Sequence, residues 1–252
     1  MGEVELHFKA AVPTFDACVF LGRRYNRYVR SDSVAGIIES MDRCGVGKAL
    51  VSHVHAIDFD GEDGNEVLLQ EMKGQPRLVP QFGANPTMDD AGQLIAQMRA
   101  HGVRSVRIDP KQHNYPFTDW MAKGWLDRLA KEGISVFVAA PQIEPDQLHT
   151  MLRAHPDLRV VLSEVHYVHT PWIFPLVRAV PNVYVEISRF VVVDGPKRLV
   201  DAMGLHRVLF GSRFPDSAMA PHLYGLHQMG FTKAELSAIC AGNLEKLLGR
   251  AA

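Results

Sequence analysis

The 252-residue chain has no apolar run near the roughly 20 residues that span a bilayer, so no membrane partner is expected. Its charge balance lacks a dominant sign: 27 Lys and Arg against 28 Asp and Glu leave a formal net charge of −1. A nucleic-acid partner, which needs a basic face, is therefore not expected either. Cysteine is sparse and odd in number, with Cys18, Cys44 and Cys240 scattered along the chain. That argues against a disulfide framework and for reduced thiols, as in a cytoplasmic protein. The first residues carry Glu3, Glu5 and His7 rather than an apolar signal-peptide core, which favours the same compartment. Low-complexity stretches, internal repeats and Pro/Gly-rich linkers are absent, so a single domain is expected over residues 1–252.

What is present is alternation. Short apolar runs at Phe15–Phe20, Lys48–His53, Leu78–Phe82, Val103–Ile108, Ile134–Ala139, Arg159–Ser163, Val183–Ile187 and Arg207–Phe210 read as strands. Segments of helical period lie between and after them: Ser33–Cys44, Gly64–Lys73, Met88–His101, Asp119–Glu132, Pro145–His155, Trp172–Val180, Lys197–Met203 and Lys233–Leu248. Ser31 or Asp32 and Thr232 are candidate N-caps, and Gly45, Gly74 and Gly102 stand where helices stop. Eight strands and eight helices in about 250 residues suit a (β/α)8 barrel, with an open doubly wound sheet as the alternative that counting leaves.

The segment Val208-Leu209-Phe210-Gly211-Ser212-Arg213-Phe214-Pro215 resembles the last barrel strand of amidohydrolase family 2, within the amidohydrolase superfamily. The closing run Ala241-Gly242-Asn243-Leu244-Glu245-Lys246-Leu247-Leu248-Gly249 is similar to that family's final helix. Gly64-Asn65-Glu66 with Asn85-Pro86, and Asn182-Val183-Tyr184-Val185-Glu186-Ile187-Ser188, resemble its second helix, third strand and seventh strand. The resemblance implies an α/β fold made of a single TIM barrel. It also implies hydrolysis of amides or lactones, or decarboxylation of aromatic acids, and a homodimer.

The family's metal ligands are not carried over. Two first-strand histidines fall on Cys18 and Phe20, a fifth-strand histidine on Ala139, a sixth-strand histidine on Glu164, and the final aspartate on Arg213. No metal and no cofactor are therefore expected. The mouth is nevertheless polar. Glu164, His166 and Arg213 are the candidate catalytic residues, with Glu164 or His166 as general acid or base. Arg107, Asp109, His53, His55, Glu186 and Cys18 are the candidate substrate contacts, and an arginine fork such as Arg213 or Arg107 suits a small anionic substrate. Glu164 and Arg213 also admit a purely structural reading as an ion pair replacing the metal. The resulting expectation is a metal-independent hydrolase or lyase. A catalytically inactive barrel that binds a ligand or partner protein is the alternative, and a relocated metal site around His53, His55 and Glu164 a third.

Overall fold

The computed structural model describes residues 8–249; the charged start of the chain, with Glu3, Glu5 and His7, lies outside them. Nine strand segments are laid parallel. They are β1 (Phe15–Leu21), β2 (Lys48–His53), β3 (Leu78–Pro80), β4 (Phe82–Gly83), β5 (Ser105–Ile108), β6 (Ser135–Ala139), β7 (Val160–Ser163), β8 (Val183–Glu186) and β9 (Val208–Leu209). They pair in chain order as β1-β2-β3 and β4 through β9. Segments β3 and β4 are one stave interrupted at Gln81, whose N–H donates to Val51 O at 2.8 Å. The ends meet through Ala17 N–H to Phe210 O at 3.0 Å and Phe20 N–H to Phe214 O at 2.8 Å, with Val19 bridging to Phe214. The result is an eight-stave α/β barrel.

The helices are α1 (Val34–Cys44), α2 (Val54–Asp58), α3 (Gly61–Glu71), α4 (Ala91–His101), α5 (Asp119–Lys131), α6 (Pro145–Ala154), α7 (Thr170–Ala179), α8 (Gly195–Met203), α9 (Met219–Gln228), α10 (Lys233–Ser237) and α11 (Asn243–Leu247). Three depart from the sequence reading. A short α2 follows β2 directly, α9 is an additional helix, and the expected helix 233–248 is broken by a π turn over Ala238–Gly242. Helix α1 is capped by Ser33 rather than Ser31 or Asp32, and Thr232 forms the expected cap with Glu235 reciprocating. Among the described residues no helix is long and apolar enough to cross a membrane.

The barrel interior is layered. Phe15, Ala17, Leu50, Val79, Phe137, Val161 and Leu209 form one apolar cluster with Ala241, Leu244, Leu247 and Leu248 of the closing helices. Above it, Ser52 Oγ donates to Gln81 Oε1 at 2.8 Å and Gln81 Nε2 donates to Ser105 Oγ at 3.1 Å. Strand β1 carries a bulge: Asp16 pairs with Ala49, but Val19 pairs with Val51. One extra residue reverses the alternation of side chains, so Ala17 belongs to the lower cluster while Cys18 and Phe20 join Val54 and Ile57 near the carboxyl end of the strands.

The Gly64-Asn65 pair explains how α2 and α3 fit over the barrel. A Cβ on Gly64 would sit 2.1 Å from Ala56 N, so only glycine permits this approach. Buried Asn65 donates to Gly83 O at 2.9 Å and accepts from Gly83 N–H at 2.8 Å, completing the short β4. Asn65→Ala removes both bonds and strands two buried backbone groups. We expect it to destabilise the protein by about 1–3 kcal/mol in urea unfolding, with an unchanged m-value.

Candidate functional site at the barrel mouth

Three acidic and basic side chains delivered by different strands meet where the staves end. Arg107 leaves β5, Glu164 follows β7 and Arg213 follows β9. Arg107 Nη2 donates to Glu164 Oε1 at 2.7 Å, and Arg213 Nε donates to Glu164 Oε2 at 2.6 Å. Arg189, from the loop after β8, stands 3.9 Å from the same Oε2. Glu164 and Arg213 both hold left-handed backbone, with φ of 54° and 61°. Such positions cost about 1–3 kcal/mol for a non-glycine residue and persist when the surroundings over-determine them. Here the opposed charges do so.

Asp216 is the second organiser. Its carboxylate accepts from Arg24 Nε at 3.2 Å and Arg24 Nη2 at 2.9 Å. Arg27 Nη2 lies 2.6 Å away and Arg213 Nη2 3.3 Å away, and the Asp216 side chain is only 1 % exposed. Arg24 is thereby turned inward and Arg213 is held from its far end. Two guanidiniums lie over the ring of Phe20, with Arg24 at 4.7 Å and Arg107 at 4.8 Å from its centroid. Cation–π attraction and the planarity of the forks favour this stacking.

These groups surround a cavity of about 240 Å³, lined by Phe20, Arg24, Ile57, Arg107, Asp109, Gln112, Ala139, Pro141, Gln142, Glu164, Arg189 and Arg213. Four guanidiniums face two carboxylates, an excess of positive charge that adding Arg27 and Asp216 does not change. Asp109 Oδ2 is buried without a hydrogen-bond partner, and its closest cation is Arg107 Nε at 3.6 Å.

Proton affinities diverge among the buried carboxyls. Burial would raise Glu164, but Arg107, Arg213 and Arg189 outweigh it and hold this carboxyl below its ordinary range. Burial raises Asp109, with Arg107 only partly compensating. Glu186, fully buried, accepts from Glu164 N–H at 3.2 Å and from Ser188 Oγ and N–H, yet burial pushes it up to about 7. Asp16, which accepts from Cys18 N–H at 3.0 Å and Ser212 N–H at 2.9 Å, is pushed up to about 6 by burial.

Of the residues picked from sequence, the cavity brings together Glu164, Arg213, Arg107 and Asp109. It does not bring in His166, which caps the turn Tyr167–His169 and is stacked beside Tyr167 at 4.2 Å. The two histidines after β2 are separated by the start of α2. His53 is buried and accepts from His55 N–H at 3.1 Å, while His55 reaches outward to Asp63 at 2.9 Å. Burial and His55 hold His53 down to about 4. Cys18 is covered by Phe20, Val54 and Ile57, and burial with Glu186 nearby raises its thiol well above the ordinary value. Glu186 lies below the cavity as a support for the Glu164 peptide. Sequence reasoning passed over Arg24; its neighbour Arg23 pairs with Asp32 at 3.4 Å and is largely exposed. It also missed Gln112 and Gln142; no local pattern distinguishes them, because loop geometry alone turns them in.

The same positions test whether a divalent metal fits. Among the described residues no group of three or more His, Cys, Asp or Glu is arranged to hold one. Phe20 and Ala139 offer no lone pair, and two guanidiniums already neutralise Glu164. The donor set does not suit a metal.

A family model described as Amidohydrolase matches residues 42–250. No curated protein matches the chain by sequence. Solved structures match over nearly full length. An uncharacterized TIM-barrel protein from Bordetella bronchiseptica has a TM-score of 0.74 at 16 % identity, covering 94 % of this chain and 99 % of its own. A protein assigned as a 2-pyrone-4,6-dicarboxylic acid hydrolase from Acinetobacter baumannii, with citric acid bound, has a TM-score of 0.71 at 17 % identity, covering 94 % and 100 %. The 5-carboxyvanillate decarboxylase of Novosphingobium aromaticivorans, holding manganese and a nitrobenzoic acid, has a TM-score of 0.76 at 12 % identity, covering 98 % and 100 %. At these identities they establish the fold.

Opposite pH responses should separate the two stacked glutamates. Glu186 binds its proton more tightly folded than unfolded, so its contribution is complete below the ordinary carboxyl range and is lost as pH rises through about 7. Glu186→Gln should remove about 3 kcal/mol of that decline between pH 4 and 8 in urea unfolding. Glu164, with the opposite shift, contributes above the ordinary range and loses that contribution as pH falls. Glu164→Gln should cost about 3–5 kcal/mol at neutral pH, since it leaves buried arginines unpaired, and less below pH 4.

Proposed function

The chain belongs to the amidohydrolase family, and on that premise we propose that its barrel mouth binds a small, multiply charged carboxylate and acts on it without a metal, by hydrolysis or decarboxylation. The observation that carries this reading is the convergence of Arg24, Arg107, Arg189 and Arg213 on one 240 Å³ cavity with only two opposing carboxylates. Arg189 is the least engaged of the four, and Arg107 Nε has no hydrogen-bond partner. Both have donors to spare for an anion.

In this reading Glu164 is a positioning residue, because its two oxygens are already taken. Asp109 is the group that moves a proton: its Oδ2 is unpartnered, and burial raises its proton affinity above that of an ordinary carboxyl. For a lactone or amide, Asp109 accepts a proton from water as that water attacks the carbonyl carbon, and Arg107 stabilises the oxygen that gains charge; the acyl carbon–oxygen or carbon–nitrogen bond then breaks as Asp109 returns the proton to the leaving atom. For a decarboxylation, protonated Asp109 supplies the proton to the carbon that loses CO2. The chain's own residues supply the charge stabilisation that a metal gives elsewhere.

The same saturation of Glu164 favours a second reading, a barrel that binds an anion and does not turn it over. Thermal unfolding with citrate, a tricarboxylate carried by one relative of this fold, tests what the two readings share. Metal-stripped protein should gain several degrees of Tm at millimolar citrate, and Arg189→Ala should weaken binding about tenfold or more, the worth of one charge-assisted hydrogen bond. No Tm shift with citrate or aromatic carboxylates would overturn both. A turnover screen on lactones and aromatic acids then divides them: activity lost in Asp109→Asn supports the enzyme, and binding without turnover supports the alternative.

A further inference from the structure

Ser217 and His222 lie outside the arginine cavity and have no part in the reading above. Ser217 ends the loop that follows β9, and His222 is in the first turns of α9. Ser217 Oγ and His222 Nε2 are 3.0 Å apart. Ser217 is half-buried. Burial lowers the proton affinity of His222 below the ordinary imidazole value, which favours the neutral ring at pH 7; in the tautomer with its proton on Nδ1, Nε2 accepts the serine proton.

One further feature lies beside the pair. His222 lines a cavity of about 160 Å³ between the loop after β8 and α9, whose other walls include Ile187, Phe190, Val192, Phe210 and Leu226. The lining is mostly apolar, so nucleophile and neutral base stand together with the base opening onto an apolar space.

We propose that Ser217 is an activated nucleophile, with His222 as its general base, and that the pair hydrolyses esters of short apolar acids. Ser217 Oγ bonds to the ester carbonyl carbon as its proton passes to His222 Nε2. The carbon–oxygen bond to the alcohol breaks, and the leaving alcohol takes the proton from His222. Water then attacks the acyl-serine, giving a proton to His222; the serine oxygen leaves, recovers that proton, and the carboxylic acid departs. One ester and one water become one acid and one alcohol. Among the described residues no carboxylate pairs with His222, so this is a dyad, and covalent labelling is a better readout than turnover.

The test uses the full chain with a fluorophosphonate probe and 4-nitrophenyl butyrate. Intact mass and peptide mapping should place one phosphonyl group on Ser217. Ser217→Ala should abolish labelling and ester cleavage, and His222→Gln should slow both about 100-fold, within the usual range for loss of a general base. Labelling that is absent from Ser217, or equally fast in His222→Gln, overturns the proposal. Should His222→Gln fold poorly by thermal unfolding, Ser217→Cys provides a second measurement. Its thiol should react with iodoacetamide well ahead of Cys18, Cys44 and Cys240, which are buried, with a pH midpoint below the ordinary thiol value of about 8.5. An unshifted midpoint would also overturn the assignment. None of these variants alters a residue of the arginine cavity, so citrate binding reports on that reading separately.

Discussion

The mouth of this barrel is organised around one carboxylate shared by two guanidiniums. Glu164 is held by Arg107 from β5 and by Arg213 from beyond β9, at 2.7 and 2.6 Å. A charge this deeply buried is tolerable only when paired and hydrogen-bonded. The pairing has consequences beyond its own energy. It stabilises left-handed backbone at both Glu164 and Arg213, and it ties β5, β7 and the segment after β9 together at the mouth. It also keeps Glu164 ionised, which removes it from proton transfer and leaves that role to a neighbour.

The substitutions at the family's metal positions make physical sense as a set. A divalent ion concentrates charge at a point and needs lone pairs around it, whereas a guanidinium spreads its charge over a plane and needs acceptors and flat surfaces. Phe20 provides the flat surface, with two guanidiniums over it. Glu164 and Asp216 provide the acceptors. Ala139 leaves open the space that a ligand imidazole would fill, and it lines the cavity. Phe20 and Glu164 in particular suit a guanidinium where a metal would need lone pairs.

Burial and charge together separate carboxyls that are close in sequence or in space. Glu164 and Glu186 are joined by a hydrogen bond through the Glu164 peptide, yet one is held ionised by arginines and the other is pushed up to about 7. Asp109 falls on the raised side because it meets Arg107 at 3.6 Å without a hydrogen bond. The difference is one of partner geometry rather than depth. The same considerations explain why Cys18, a candidate substrate contact by sequence, is a thiol held protonated under an apolar cover.

Much of this was determined by the sequence alone. Hydrophobic period and helix punctuation are local properties, so the staves and most helices could be placed, with Gly45 and Gly102 in left-handed caps and Thr232 in a reciprocal one. The resemblance located Arg213 and Glu164, and the rule that a barrel's site lies at the carboxyl ends of its strands picked out Arg107 and Asp109. Tertiary structure decided what alternation cannot carry past a strand's end. The bulge in β1 turns Cys18 and Phe20 inward against the parity of Ala17, and the immediate start of α2 sends His53 and His55 different ways. Arg24 rather than Arg23 reaches the cavity because Asp216, 192 residues away along the chain, holds it there. Direction in a loop is set by the distant group that a side chain finds, and no local pattern records it.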